Sequence, residues 1–203
     1  MPEWSEGEWT VEPAAVVSEG NDLLVTALEG SDAWRETAHG YITDNAHGLL
    51  APMAIETAVE VSFVANLTQQ FDQAGIMLRS SPTQWIKAGV EYADGVLQLG
   101  AVVTRDTSDW SSYPVEWAGR VVTLSASRSG NAVMIRARVD DEDWRMIRLA
   151  WVDPLVELAA GPYLCAPTNA ELTVRFTRWT TGPAEVEVHP DGLPDDFAQK
   201  RGL

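Results

Sequence analysis

The feature that most constrains the fold is an alternation of apolar and polar residues at every second position, recurring between Leu23 and Thr180. β-Branched residues accompany this alternation, and no stretch in that range sustains the apolar i, i+3, i+4, i+7 spacing of an amphipathic helix. A chain of 203 residues fits one large β-sandwich, because all-β domains often reach about 200–250 residues around one core. The sequence therefore predicts an all-β protein.

Turn residues divide the alternating region into segments that we predict to be strands. Asp94-Gly95, Gly130-Asn131 and the acidic run Asp140–Glu142 each separate two alternating runs, as hairpin turns do. The predicted strands are Leu23–Leu28, Met53–Ala65, Gln73–Arg79, Trp85–Tyr92, Val96–Thr104, Arg120–Arg128, Ala132–Val139, Trp144–Trp151, Glu157–Leu164 and Leu172–Trp179.

Domain organisation follows from where the alternation stops. We predict one domain over residues 1–182 and an acidic C-terminal extension over 183–203, irregular except for a short helix near Asp195–Lys200. The chain has no basic, apolar leader and no long apolar run, so we expect a cytoplasmic protein. Cys165 is the only cysteine, which excludes an internal disulfide and a multi-cysteine metal cluster.

The charge balance limits the partners. The net charge of -16 argues against nucleic acid and anionic membranes, because both would repel the chain. Residues 1–60 hold twelve acids and one base, Arg35. This segment predicts either a solvated acidic face or a docking surface for a protein partner.

The loop Asp94-Gly95 fixes which side chains share a face. With these two residues as the turn, one face of the hairpin is wholly apolar and belongs to the core. The opposite face carries the pairs Glu91/Gln98, Gly89/Gly100, Lys87/Val102 and Trp85/Thr104.

A third strand extends this pattern if Ser80–Gln84 is a five-residue connection. It places Gln73 beside Glu91 and aligns three glycines, Gly75, Gly89 and Gly100, into a trough without side chains. Two explanations stay open: the glycines admit a ligand to the backbone, or they relieve strand curvature.

The candidate ligand-binding residues lie on this polar face or at its end. Nine Trp residues outnumber Phe and Tyr together, so some of these rings are expected to face a ligand. Ser108–Ser111 is predicted to be a loop at the end of the trough, where a tryptophan could stack on a sugar. The predicted set is Gln73, Trp85, Lys87, Glu91, Gln98, Asp109 and Trp110, with Gly75, Gly89 and Gly100 as groove glycines.

The spacing of Lys87 and Glu91 along one strand predicts how their side chains are held. They stand roughly 13 Å apart along a straight strand at about 3.3 Å per residue, too far to pair directly. We therefore predict that cross-strand partners hold them, Gln73 or Gln98 in the case of Glu91. If both side chains are exposed, Lys87→Met and Glu91→Gln should change stability by less than about 0.5 kcal/mol.

Two other kinds of chemistry stay open as alternatives. His39, Asp44 and His47 could bind a metal, although residues 40–47 fit a hairpin around Asp44-Asn45 equally well, and we predict no metal and no cofactor. Glu91 with Asp109 or Asp72 could form the carboxylate pair of a glycoside hydrolase.

Three ordered motifs resemble the DUF1349 family, also called the regulation-of-enolase-1-like family. They are residues 71–79 (FDQAGIMLR), 85–92 (WIKAGVEY) and 102–111 (VVTRDTSDWS), with further blocks at 39–45 (HGYITDN) and 161–167 (GPYLCAP). The resemblance covers roughly residues 5–180 and implies a concanavalin-A-like jelly roll of two antiparallel sheets, with one concave face able to hold glycans in related lectins and glucanases.

One departure from that superfamily bears on function. Its laminarinase-type glucanases carry Glu-x-Asp-x-Glu on a concave strand, where this chain has Trp85-x-Lys87-x-Gly89-x-Glu91. The leading hypothesis is therefore a non-enzymatic, lectin-like protein that binds a carbohydrate or small polyol. The alternatives are a regulatory module that acts on a metabolic enzyme and a glycoside hydrolase with paired carboxylates.

Overall fold

The computed structural model describes residues 4–170 and 172–185, which form a sandwich of two seven-stranded antiparallel sheets. Sheet A contains, in spatial order, β1 (Glu8–Trp9), β6 (His47–Met53), β15 (Leu158–Cys165), β8 (Gln73–Ser81), β9 (Gln84–Ala93), β10 (Val96–Arg105) and β11 (Thr107–Val115). Sheet B contains β14 (Arg145–Trp151), β13 (Ala132–Val139), β12 (Val121–Ser129), β7 (Thr57–Val64), β16 (Thr173–Pro183), β3 (Asp22–Thr26) and β2 (Ala15–Glu19).

Two short strands, β4 (Ala33–Arg35) and β5 (Ile42–Asp44), form a separate hairpin, and a 3₁₀ turn covers Trp4–Glu6. The predicted fold class, an all-β jelly-roll sandwich of two antiparallel sheets, is confirmed. Within the described residues, no helix is both long and apolar enough to cross a bilayer.

The main core lies between the sheets and is built from the inward-facing residues of the alternating segments. Phe63 of β7 and Phe176 of β16 are fully buried with ring centroids 6.0 Å apart. Val90 and Leu99, which the Asp94-Gly95 turn places opposite each other, are 1% and 0% exposed. The face predicted to be apolar is therefore the core face.

The predicted register of β8, β9 and β10 is confirmed. Glu91 pairs with Gln98 and with Gln73, and Gly89 pairs with both Gly100 and Gly75. The predicted five-residue connection is wrong in its length, because β8 and β9 continue to a Ser81–Gln84 pair past an irregularity between Arg79 and Ser81. The bulge preserves the predicted register, since it adds one unpaired residue to β8 only.

The predicted strand Met53–Ala65 is wrong as a single element. It joins the end of β6 to β7, which lie in different sheets, and Glu56 turns the chain between them with a φ of 60°. The alternation continues through the turn and therefore conceals it.

Several strands were not predicted because they lack an alternating apolar pattern of sufficient length. β1, β4 and β5 have two or three residues, and every residue of β2 is exposed at the edge of sheet B. β6 begins with four consecutive buried residues, which hides its period of two.

The predicted hairpin around Asp44-Asn45 is also wrong. β5 pairs with β4, whereas β6 pairs with β15 and β1 in sheet A. The Asn45 side chain helps to hold the chain where it passes from the β4–β5 hairpin into sheet A. It accepts a hydrogen bond from the Asp32 N–H at 2.9 Å and donates one to the Gly30 carbonyl at 3.1 Å.

The segment that contains β4 and β5 covers part of the outer face of sheet A, meaning the face that points away from the main core. A second, smaller apolar cluster lies beneath it. Its buried members are Ala33, Ala46, Leu50, Met77, Trp85, Val102, Tyr163 and Cys165. The helix predicted near Asp195–Lys200 lies outside the described residues, and the domain boundary at residue 182 stays a prediction.

Candidate functional site

The three aligned glycines allow the backbones of neighbouring strands to approach each other. A Cβ atom at Gly75 would lie 2.0 Å from the Ala88 carbonyl oxygen, and one at Gly89 would lie 2.1 Å from the Ala74 carbonyl oxygen. At Gly100 the corresponding distance, to the Ser111 oxygen, is 2.4 Å. Of the two explanations left open by the sequence, strand geometry therefore accounts for these glycines without a ligand.

The trough above the glycines is narrow. Tyr163 of β15 lies opposite Gly75 in the sheet, is 3% exposed and lines the trough with Gly89, Gly100 and Gln98. The remaining volume is about 20 Å³, which holds about one water molecule. The trough itself is therefore too small for a sugar.

A larger cleft adjoins this trough on the outer face of sheet A. It has a volume of about 280 Å³ and lies between the β4–β5 hairpin and sheet A. Four predicted site residues, Gln73, Lys87, Glu91 and Trp110, line it. The other lining residues are Asp32, Trp34, His39, Tyr41, Phe71, Val102 and Pro167.

A buried ion pair forms part of the polar floor. Lys87 Nζ donates hydrogen bonds of 2.9 Å to Asp32 Oδ1 and to Gln73 Oε1. The Lys87 side chain is only 5% exposed and that of Asp32 is 14% exposed. The expectation that Lys87 is exposed is therefore wrong, because the segment before β4 brings Asp32 over it, and its partners are Asp32 and Gln73.

Asp32 also ties the hairpin to the floor of the cleft. Its Oδ1 atom accepts a hydrogen bond from its neighbour Ala33 N at 2.8 Å as well as the bond from Lys87. The pKa of Lys87 is raised: burial is the largest single influence and lowers it, but the charge and hydrogen-bond interactions around the ammonium, led by those with Asp32, together outweigh burial. The ammonium and the carboxylate thus form a charged pair.

Glu91 is the second acid in the cleft, and its environment differs from that of Asp32. Desolvation raises the pKa of Glu91 to about 7, with Asp32 and Asp94 adding to the rise and Lys87 opposing it. Within the described part of the chain, no hydrogen bond contributes to this shift. The expectation that Gln73 or Gln98 holds Glu91 is wrong within the described residues, since the Gln73 amide is engaged by Lys87 and Asp32.

Aromatic rings form the walls of the cleft. In the β4–β5 hairpin, His39 lies between Trp34 and Tyr41, with ring centroids 5.7 Å away on each side. Trp110 of β11 is 48% exposed, and Phe71, which precedes β8, is 40% exposed. Polar groups on the floor and exposed rings at the sides suit a small molecule with hydroxyl groups and apolar faces.

The loop predicted for Ser108–Ser111 is instead part of β11, which pairs with β10 along its length. The pairing of β11 with β10 places Trp110 opposite Val102 and Asp109 opposite Val103. Because neighbouring residues of a strand point to opposite faces, Trp110 points towards the cleft and Asp109 points to the other face. Asp109 is exposed and lies 3.2 Å from an Arg148 nitrogen. Asp109 is therefore not part of the cleft.

The remaining predicted site residues also lie outside the larger cleft. Trp85 is 2% exposed in the smaller apolar cluster, with Lys87 Nζ 6.0 Å from its ring centroid. Gln98 lines only the narrow trough. Gly75, Gly89 and Gly100 form the backbone floor beside it.

The two acids suggested as partners of Glu91 in a glycoside hydrolase both lie outside the cleft. Asp72 is 1% exposed and accepts hydrogen bonds from the Thr68 and Gln69 backbones, so it serves a turn. Neither Asp72 nor Asp109 accompanies Glu91 in the cleft; the second carboxylate there is Asp32.

The three suggested metal ligands have separate partners. His47 is fully buried, where Nε2 accepts a hydrogen bond from Leu28 N and Nδ1 contacts the Val11 carbonyl. Asp44 pairs with Arg79 at 2.5 Å, and His39 stacks on Tyr41. Across residues 4–170 and 172–185, no three His, Cys, Asp or Glu side chains are grouped to hold a metal ion.

Sequence reasoning missed the half of the cleft supplied by the β4–β5 region. Trp34, Tyr41 and Asp32 belong to a hairpin too short to show a strand pattern. The only signal for it was the block at residues 39–45, which contains His39 and Tyr41 but gives no indication of where the hairpin packs.

Together, the fold and the cleft define a jelly-roll β-sandwich with a ligand-sized opening beside a buried ion pair. The family described as "Protein of unknown function (DUF1349)" matches residues 9–184, and the chain belongs to this family. Among curated proteins, it is 31% identical over 188 residues to "Regulation of enolase protein 1" of Saccharomyces cerevisiae, covering 92% of this chain and 95% of that protein.

Solved structures share this fold. A crystal structure of a functionally unknown protein from Saccharomyces cerevisiae has a TM-score of 0.85 at 30% identity, over 91% of this chain and all of that one. A GH43 protein from Bacillus licheniformis has a TM-score of 0.70 at 12% identity, over 89% of this chain and 37% of that one. At that identity the second likeness concerns the fold alone.

Proposed function

We propose that the chain is a non-enzymatic binding protein that takes a saccharide or small polyol in the cleft between the β4–β5 hairpin and sheet A. The observation that carries this proposal is the combination of exposed aromatic rings with polar groups on one floor, in a volume of about 280 Å³. Sugars have apolar C–H faces that pack on such rings and hydroxyl groups that bond to such a floor. The proposed ligand does not enter the glycine trough.

Trp110 tests this proposal because it is exposed in the cleft and contributes little to the core. We expect Trp110→Ala to weaken binding of any sugar found in a thermal-shift panel by about tenfold or more, as loss of a stacked ring costs about 1–3 kcal/mol. Isothermal titration calorimetry would measure the change.

Trp151→Ala is the matched control, since Trp151 is 52% exposed in β14, outside the cleft. It should leave sugar binding unchanged. The proposal fails if no sugar in the panel binds at millimolar concentration, or if Trp151→Ala rather than Trp110→Ala removes binding, because the ligand would then occupy a different surface.

A second candidate function is a regulatory interaction with a metabolic enzyme, in which case the protein works where that enzyme is, in the cytoplasm. It is favoured by the relative named "Regulation of enolase protein 1", to which the chain is similar along nearly its whole length. The acids of residues 1–60 are the proposed contact surface. Five of them are engaged in ion pairs within the domain, namely Glu19, Asp22, Asp32, Asp44 and Glu60.

The exposed acids Glu6, Glu8 and Glu12 test this second candidate. Immobilised protein should retain purified yeast enolase at low salt and release it as salt rises, because exposed charge contacts are screened over about 10 Å at about 0.1 M salt. Replacing the three acids with glutamine should reduce retention, whereas Trp110→Ala should not. Retention that is unchanged by salt and by the triple replacement would contradict a role for this surface.

A further inference from the structure

The charges in the cleft restrict what kind of ligand it can take. The floor holds three charged or chargeable side chains, Asp32, Lys87 and Glu91. The ammonium of Lys87 and the carboxylate of Asp32 neutralise each other at 2.9 Å. When Glu91 is ionised, it therefore gives the floor one unpaired negative charge.

This arrangement of charges disfavours the binding of an anionic ligand. Lys87 is the cation on the floor, and its ammonium already donates hydrogen bonds to Asp32 and to Gln73. Its side chain is only 5% exposed. An anion would have to displace one of these partners and would also face Glu91. Uncompensated charge of this kind is strongly unfavourable in a partly desolvated site.

Both the floor and the walls of the cleft favour the binding of a cationic group. Among residues 4–170 and 172–185, no hydrogen bond offsets the desolvation of Glu91, so a cation beside it would supply a counter-charge. Trp34, Tyr41 and Trp110 line the same opening, and the faces of aromatic rings attract ammonium groups within about 6 Å of the ring centroid. Recognition of quaternary ammonium groups by aromatic rings is a general solution for such ligands.

We propose that the cleft binds a hydroxylated organic cation, such as an amino sugar or an amino alcohol, with its ammonium group beside Glu91 and among these rings. This inference rests on the proposed function, because it concerns the same cleft and narrows the class of ligand. The ammonium contacts the carboxylate of Glu91, and the hydroxyl groups of the ligand contact the remaining polar floor.

The inference predicts that binding of a cation is coupled to the charge of Glu91. The charged and titratable groups around Glu91 are Lys87 and Asp32 on the floor, Asp94 at the end of its own strand, His39 and Tyr41 on the hairpin that covers the cleft, and the buried Tyr163 and Cys165 below. Burial raises the pKa values of Tyr163 and Cys165, so both stay neutral near neutral pH. Tyr41 likewise has a raised pKa, whereas the pKa of Glu91, about 7, lies in this range. The variant Glu91→Gln leaves His39 in place and therefore separates the charge of Glu91 from any contribution of His39.

Choline is a suitable probe because its charge is the same at every pH, and its neutral isostere is the alcohol in which carbon replaces the quaternary nitrogen. At about pH 8, calorimetry should show choline binding about tenfold or more tightly than the isostere. At about pH 6, choline should bind about tenfold more weakly than at about pH 8, since Glu91 must then lose its proton first.

Glu91→Gln keeps the size of the side chain and removes its charge. We expect this variant to bind choline and the isostere equally and to lose the dependence on pH. Glu60→Gln is the matched control, because Glu60 lies in sheet B with its partner Arg178, and it should behave like the unaltered protein.

The outcomes separate the inference from the proposed function. If neutral sugars bind in a manner that depends on Trp110 but choline binds no better than its isostere, the inference is overturned and the proposed function stands. The inference is also overturned if Glu91→Gln retains the preference for choline. If neither sugars nor choline bind, both proposals fail.

Discussion

Replacing Lys87 with methionine is expected to lower the free energy of unfolding by about 3–5 kcal/mol, the range measured when one partner of a buried ion pair is removed. Methionine has a similar length, so it fills much of the same space. However, it leaves Asp32, whose side chain is 14% exposed, without the ammonium that neutralises it. It also leaves the Oε1 atom of the buried Gln73 without its donor.

Urea denaturation followed by tryptophan fluorescence measures this change as a lower midpoint. Arg175→Met is the matched control, since Arg175 pairs with Glu19 and Asp22 while 39% exposed, and exposed pairs contribute little to stability. The double variant Lys87→Met with Asp32→Asn should recover part of the loss, because no unpaired charge remains. A loss at Lys87 no larger than the loss at Arg175 would show that the pair is not buried in solution.

The sequence alone predicts a small effect of Lys87→Met, because it does not reveal that another part of the chain covers Lys87. Strand alternation correctly places Lys87 on the face away from the main core, and an uncovered sheet face would leave it exposed. What covers it is a hairpin of two three-residue strands more than forty positions away in the chain. Such short strands have no periodicity of their own, and their packing depends on tertiary contacts.

The parts of the fold that sequence reasoning predicted well are those controlled by local geometry. The turn Asp94-Gly95 fixes the pairing of β9 with β10 residue by residue, and Asp94 and Gly95 both adopt the positive φ that such a turn needs, at 55° and 85°. Ala132–Val139 likewise has its predicted bounds because the Gly130-Asn131 turn precedes it.

The candidate site was only half predictable for the same reason. Gln73, Lys87, Glu91 and Trp110 reach the cleft from one antiparallel series of hairpins, whereas Asp32, Trp34 and Tyr41 come from the covering segment. Trp110 was placed in a loop because β11 has a run of exposed residues and no apolar alternation. Its role at the cleft follows from pairing with Val102, which the sequence pattern did not specify.

Gly75→Ala is expected to cost about 4 kcal/mol or more, a loss found only where a substitution breaks a specific structural requirement. The added Cβ atom would lie 2.0 Å from the Ala88 carbonyl oxygen and 2.7 Å from the Gly89 Cα atom, and both atoms belong to the backbone of the paired strand. Neither can move away without separating β8 from β9 in the middle of sheet A.

Gly48 and Gly182 provide a graded comparison, because a Cβ at Gly48 would come within 3.3 Å of a Leu50 side-chain atom and one at Gly182 would meet nothing within 4 Å. In urea melts we expect Gly182→Ala to be neutral or to stabilise by up to about 1 kcal/mol, and Gly48→Ala to lie between the two others. If Gly75→Ala does not fold, the order of the remaining two still tests the steric account; if it is as stable as Gly182→Ala, the strands are not held this closely, and the trough would be free to open for a ligand.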